Sequence, residues 1–160
     1  MLEQLQAHPA DALLALIKLY AADQRAEKID LGVGVYRTAD GATPVFKAIK
    51  AAEARLLDGQ DSKSYLGPEG DMGFVRAIMP WMLGDFDPAG RIDGLQTPGG
   101  TGAVRLAADL LLKAGVKRIW MGTPSWPNHA QIVADLGLEL KTFAHSTAAG
   151  TADLDGVLGA

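Results

Sequence analysis

Two blocks of this chain have residue types and spacing suited to chemistry. The first is Thr97-Pro98-Gly99-Gly100-Thr101-Gly102-Ala103, placed where a predicted strand gives way to a predicted helix. Its glycines let backbone come close to a ligand. Residues 100–103 offer amides at a helix N-terminus, where the dipole favours an anion. Thr101 adds a hydroxyl donor. The chemistry this suits is phosphate binding, although the turn alone fits a ligand-free strand-to-helix connection equally well. The common alternatives fail. A dinucleotide fingerprint needs glycine at 105, where the chain has Arg105, and the Gly-Lys-Ser/Thr ending of a P-loop is absent.

The second block is Pro124-Ser125-Trp126-Pro127-Asn128-His129. Two prolines stiffen the loop around Trp126, whose indole face can stack on a flat ligand. Taken alone, Trp126 reads as a core residue and His129 as a surface histidine or a hydrogen-bonded core one. Ser125 and His129 have the types of a nucleophile–base pair, but Ser125 is better placed as a helix cap. Tyr65, in Ser64-Tyr65-Leu66-Gly67-Pro68, reads by itself as a partly buried loop tyrosine. Trp81 and Trp120 read as packing residues.

The elements that must position these blocks follow from periodicity. Residues 9–24 form a helix with Leu13, Leu14, Ile17 and Tyr20 as its stripe. Ile29–Tyr36 alternates like a strand, broken by Gly32 and Gly34, which marks a bulge or a close backbone approach. Pro44 opens a helix over 45–57, stopped near Gly59. A polar loop covers 60–70. A helix over 71–84 must kink or end at Pro80. A short strand at Ile92–Gln96 leads into the glycine turn and a helix over 101–114. A strand over Lys117–Met121, a helix over 127–136 and a strand over Leu138–Phe143 follow. Leu154–Leu158 starts a further helix. This βαβαβ order implies an α/β fold with a parallel, doubly wound sheet. Its helices carry apolar faces that three strands only partly cover, so an exposed apolar face is expected on this half. Burial of Leu111, Leu112, Ile119 and Ile132 is the measure.

Composition narrows the classes. The 160 residues are 48% hydrophobic and 21% charged, enough for one sizeable core. A formal net charge of −4 argues against a general nucleic-acid binder. The chain has no cysteine, hence no disulfide or thiolate site, which fits a reducing, cytoplasmic setting. His8, His129 and His145 are too scattered for a metal motif. No secretory leader is apparent, and no apolar run approaches the roughly 20 residues of a membrane span.

Four blocks in order carry a resemblance. They are Ile29-Asp30-Leu31-Gly32-Val33-Gly34-Val35-Tyr36, Lys63-Ser64-Tyr65-Leu66-Gly67, Gln96 through Ala103, and Pro124 through His129. Together they resemble the N-terminal portion of the class I, fold type I, pyridoxal-phosphate aminotransferases, in the aspartate/aromatic amino acid subgroup. The resemblance spans essentially the whole chain but less than half of a typical family chain. It implies transamination between aspartate or an aromatic amino acid and 2-oxoglutarate, with pyridoxal 5'-phosphate as cofactor and a homodimer as the working form. It implies that Gly34 lies on a segment covering the substrate. Tyr65 would reach the partner chain's cofactor phosphate and lie near substrate. Gly99, Gly100 and Thr101 would hold the phosphate. Trp126 would stack on the pyridine ring beside the substrate, with His129 behind the acid that holds the ring nitrogen.

The resemblance also implies a division into an N-terminal helix and substrate-covering segment (1–40), a small-domain and dimer-contact part (41–90), and the start of the cofactor domain (91–160). The family's Schiff-base lysine, and the arginines that bind substrate carboxylates, have no counterpart among these residues. No catalytic residue is therefore assigned, and the 160 residues alone are expected to be inactive. A different reading is a stand-alone, non-catalytic phosphate-binding α/β module, distinguished by whether the reading frame continues past Ala160.

Overall fold

The computed structural model describes residues 3, 12–32, 34–86, 89–146, 150–151 and 153–159. His8, residues 9–11 of the expected first helix, and Val33 lie outside them. The chain divides into two compact units, Met1–Ser64 and Tyr65–Ala160.

In the first unit, α1 spans Ala12–Ala22 and α2 spans Lys47–Gly59. Leu13 and Ile17, on the expected stripe of α1, are partly exposed, and α2 buries no residue. Among the described residues of 29–36 no strand forms. The polar groups of this segment turn inward on it instead. The Asp30 carboxylate accepts from the Gly32 amide at 2.9 Å and from Arg37 Nη2 at 2.6 Å. The close backbone approach expected here falls at Gly32, where an added Cβ would sit 3.3 Å from Leu16 Cβ. At Gly34 the surroundings are open.

In the second unit, α3 spans Met72–Leu83 and α4 spans Gly99–Lys113. They are followed by β1 (Arg118–Thr123), α5 (Pro127–Asp135), β2 (Glu139–Ala144) and α6 (Leu154–Leu158). Asp71 caps α3, accepting from the amides of Gly73 and Phe74. Of the two outcomes expected at Pro80, the helix does not end there: α3 runs on for three further residues. Proline removes one donor, to the carbonyl of Arg76, but Arg76 is exposed, so solvent can take that place. The helix closes with the Gly84 amide donating to the Pro80 carbonyl at 2.9 Å.

The sheet among the described residues has two strands. β1 and β2 pair in parallel, with Arg118 opposite Glu139 and Thr123 opposite Ala144. Arg118, and then Lys141, hold the Glu139 carboxyl below its ordinary range through hydrogen bonds at this end of the pair. The expected third strand, Ile92–Gln96, is not formed. Its backbone bonds go elsewhere: the Gln96 amide donates to the Glu69 carbonyl at 2.8 Å, and the Asp71 amide donates to Gln96 Oε1 at 2.8 Å. The segment is tied to the 67–70 turn rather than to a ladder, so the observed order is an extended segment followed by αβαβ.

The core consists of Ala108, Val133 and Leu138, with Leu112, Ile119, Leu136 and Leu140 packed around it. α4 and α5 thus close on one face of the parallel pair, one of the two faces that a doubly wound sheet covers with helices. Of the four residues chosen to measure burial, only Ile132 is buried. Leu112 and Ile119 are half-buried and Leu111 is 44% exposed. Leu110 and Trp120 are exposed as well. The expected apolar face is present.

Gly70 holds the strap that fixes the entry to the glycine turn. Its φ is +79°, and an added Cβ would lie 2.5 Å from Gln96 Cβ. Gly70→Ala is therefore expected to lower stability by roughly 2–4 kcal/mol, combining left-handed strain with overpacking. The midpoint of denaturant unfolding measures this, and an unchanged midpoint would refute it.

Candidate functional site

The helix after the glycine turn begins two residues earlier than expected from the pattern. Gly99 is the first residue of α4, and its φ of +69° is left-handed, a conformation that costs glycine little. Its amide donates to the Thr97 carbonyl at 2.8 Å, and Thr97 Oγ1 donates to the Gly99 carbonyl at 3.0 Å. Thr97 and Gly99 thereby lock the entry to α4. The next amides, of Gly100 and Thr101, lie in the first turn, where no intrahelical acceptor is available. An added Cβ at Gly99 or Gly100 would meet nothing within 4 Å. The space before the turn is open and the backbone is bare, which suits an anion approaching the helix dipole. Gly102 is tight for a different reason. A Cβ there would lie 3.0 Å from the Pro98 ring, so this glycine serves packing of the turn.

The tryptophan loop leaves the C-terminal end of β1, after a cis Thr123–Pro124 bond. Open α/β sheets bind ligands at the C-terminal ends of their parallel strands. Trp126 is the N-cap of α5 and Pro127 its first residue. This displaces Ser125 one position outside the helix, so it does not act as the expected cap. Its Oγ shares a hydrogen bond of 2.8 Å with His129 Nδ1. The His129 amide donates to the Trp126 carbonyl at 3.0 Å. The two rings meet edge to face, with centroids 5.2 Å apart and planes at 86°. Trp126 is therefore a half-buried, braced ring, and neither it nor His129 is a core residue.

The structure joins the two blocks. Asn128 Nδ2 donates to Thr101 Oγ1 at 3.3 Å, across 27 positions of sequence. Arg105 and Asp135 form a second link between α4 and α5 at 3.9 Å. Behind the loop, a cavity of about 260 Å³ is lined by Val104, Ala107, Leu111, Met121 and His129, among others. Asn128 lay within the second block, but nothing in the sequence pointed to its partner. Tyr65 is fully exposed, at 104%, and not partly buried as its loop suggested. Gly34 belongs to the other unit and stands on an exposed stretch. No group of three or more potential ligands for a metal occurs among the described residues, and no described helix is long and apolar enough to cross a membrane.

Residues 26–160 match the family model for aminotransferase class I and II. Over 143 residues the chain is 52% identical to a tyrosine aminotransferase of Rhizobium meliloti (strain 1021), a match covering 89% of this chain and 37% of that protein. Over 163 residues it is 42% identical to an aspartate aminotransferase of Escherichia coli (strain K12), covering 99% and 41%. The fold superposes with a TM-score of 0.84, at 32% identity, on an aromatic-amino-acid aminotransferase of Burkholderia pseudomallei covalently bound to pyridoxal phosphate, covering 99% of this chain and 41% of that one. The chain thus spans about two fifths of the length of the relatives it matches.

Proposed function

The chain belongs to the class I and II aminotransferases, and on that premise we propose that it is the N-terminal part of an enzyme exchanging an amino group between aspartate or an aromatic amino acid and 2-oxoglutarate. The cofactor would be pyridoxal 5'-phosphate, and the working form a cytoplasmic homodimer. The observation that carries this reading is the joining of the glycine turn to the tryptophan loop by Asn128 and Thr101. A phosphate group and a flat ring belong to one ligand, and these two blocks offer a place for each within one unit.

The residues fit the cofactor. Gly100 and Thr101 would hold the phosphate through first-turn amides and a hydroxyl, while Gly99, its own amide taken by the Thr97 carbonyl, would let the phosphate approach a backbone without a side chain. Trp126, braced by His129, would lie against the ring and fix the substrate's approach. His129, bonded to Ser125 through Nδ1, has Nε2 left to meet the group that holds the ring nitrogen. When bound, the cofactor acts as the electron sink for bonds at the amino acid's α-carbon. Residues 1–40 would supply the segment over the substrate, with Gly34 giving a side-chain-free backbone there. Residues 41–90 would contribute the small domain and dimer contacts, and 91–160 would open the cofactor domain. Tyr65, fully exposed in its own chain, has its hydroxyl free to serve a partner's site.

The test uses the complete enzyme that carries these residues. It should retain a visible absorbance from bound cofactor and turn over aspartate or tyrosine with 2-oxoglutarate. Absence of both with cofactor supplied would overturn the proposal. In the same enzyme, Trp126→Ala is expected to weaken cofactor binding and kcat/KM with the fold retained. Losing one aromatic platform costs about 1 kcal/mol beyond burial, or roughly fivefold. Equal cofactor affinity and kcat/KM would leave Trp126 with packing alone.

A further inference from the structure

We infer that Asn128 is a positioning residue for phosphate recognition, acting through Thr101 and not by touching the ligand; this rests on the cofactor reading above. A threonine hydroxyl carries one proton and two lone pairs. Asn128 Nδ2 donates to Thr101 Oγ1 at 3.3 Å, so the amide occupies a lone pair. The proton must then point elsewhere. Among the described residues no group accepts it, and the space before the turn at Gly99 and Gly100 is open. With that lone pair taken, the hydroxyl is biased to act as a donor and is available to an anion at the turn. Without Asn128, the same hydroxyl is free to rotate and to spend its proton on water or on a backbone carbonyl of its own helix.

The fold holds this geometry in place. Pro127 opens α5, so Asn128 is carried on the helix's first turn. Arg105 and Asp135 span the same two helices further along. The inference makes Asn128 specific for the phosphate and indifferent to the ring. That specificity separates it from a residue that merely keeps α4 and α5 together.

The experiment measures binding of pyridoxal 5'-phosphate and of pyridoxal, which lacks the phosphate, to the apo form of the complete enzyme. Asn128→Ala is expected to weaken the phosphorylated ligand about tenfold, the scale of one hydrogen bond, and to leave pyridoxal within twofold. Asn128→Asp preserves shape but replaces the donor by an acceptor. It should claim the Thr101 proton and set a negative charge beside the phosphate, giving a larger loss with the same selectivity. In a Thr101→Val background, Asn128→Ala should add nothing. Asn128→Asp, being isosteric, gives the reading if Asn128→Ala fails to fold. Equal losses for both ligands, additive effects with Thr101→Val, or no loss would each overturn the inference while the cofactor reading stands. If the unaltered enzyme bound neither ligand, or did not distinguish them, the reading itself would fail and the inference with it.

Discussion

Residues 1–160, purified and supplied with pyridoxal 5'-phosphate, aspartate and 2-oxoglutarate, are expected to give no turnover above the free-cofactor background. The reaction needs a lysine amine held at the cofactor's aldehyde carbon. In the second unit, Lys113 closes α4 and bonds Asp109 at 2.6 Å. It lies at the far end of a 15-residue helix from Gly99, a distance of roughly 20 Å. Lys117 precedes β1, while the tryptophan loop follows that strand's other end. Lys141 is on β2, paired with Glu139 at 2.9 Å. None can reach a ligand held between the glycine turn and Trp126. In the first unit, Lys28 bonds the carbonyls of Tyr20 and Asp23, and Lys50 bonds Glu53. The assay is coupled production of oxaloacetate. Turnover clearly above the cofactor blank would show that one of these amines, or another group, does the work.

The parts of the site that were legible in sequence are those encoded by local stereochemistry. Gly99 and Gly100 announce a helix start because few other residues leave that turn bare, and the helix is there. Pro127 announces the next one because a first-turn residue needs no amide donor, and it is the first residue of α5. The same proline also sets the cap. It moves the cap to Trp126, so Ser125 is left free to bond His129. Ile92–Gln96 has the composition of a strand, but a strand is made by its neighbour, and here the Gln96 amide goes to Glu69. Pro80 forbids one helical bond, yet α3 continues past it to Leu83. The Asn128–Thr101 bond lay out of reach for a different reason. Its partners are 27 residues apart on two helices, and only the packing of α4 against α5 over Ala108 and Val133 brings them together. Local rules place the two halves of a site, and the core decides whether they meet.

Tyr65 offers the largest test of the dimeric part of the proposal. In the complete enzyme, Tyr65→Phe removes one hydroxyl and leaves the ring. A loop residue fully exposed in its own chain loses no internal contact by this change, so the fold and its unfolding midpoint should not move. If the hydroxyl donates to a phosphate in the partner's site, its loss forfeits a hydrogen bond to a charged group, worth roughly 1.5–3 kcal/mol. The cofactor should then dissociate about 10- to 150-fold more readily, as RT at room temperature converts that range. The effect has a direction that no local role can imitate. In mixed dimers with one altered chain, the weakened site should be the one formed by the unaltered chain's Gly99–Thr101 turn, since the missing hydroxyl belongs to its neighbour. Titrating the cofactor onto such mixed dimers, with one chain also marked by Thr101→Val, separates the two sites. Loss confined to the altered chain's own site, or unchanged retention in both, would remove Tyr65 from the cofactor's contacts and leave it as a surface residue of the 60–70 loop.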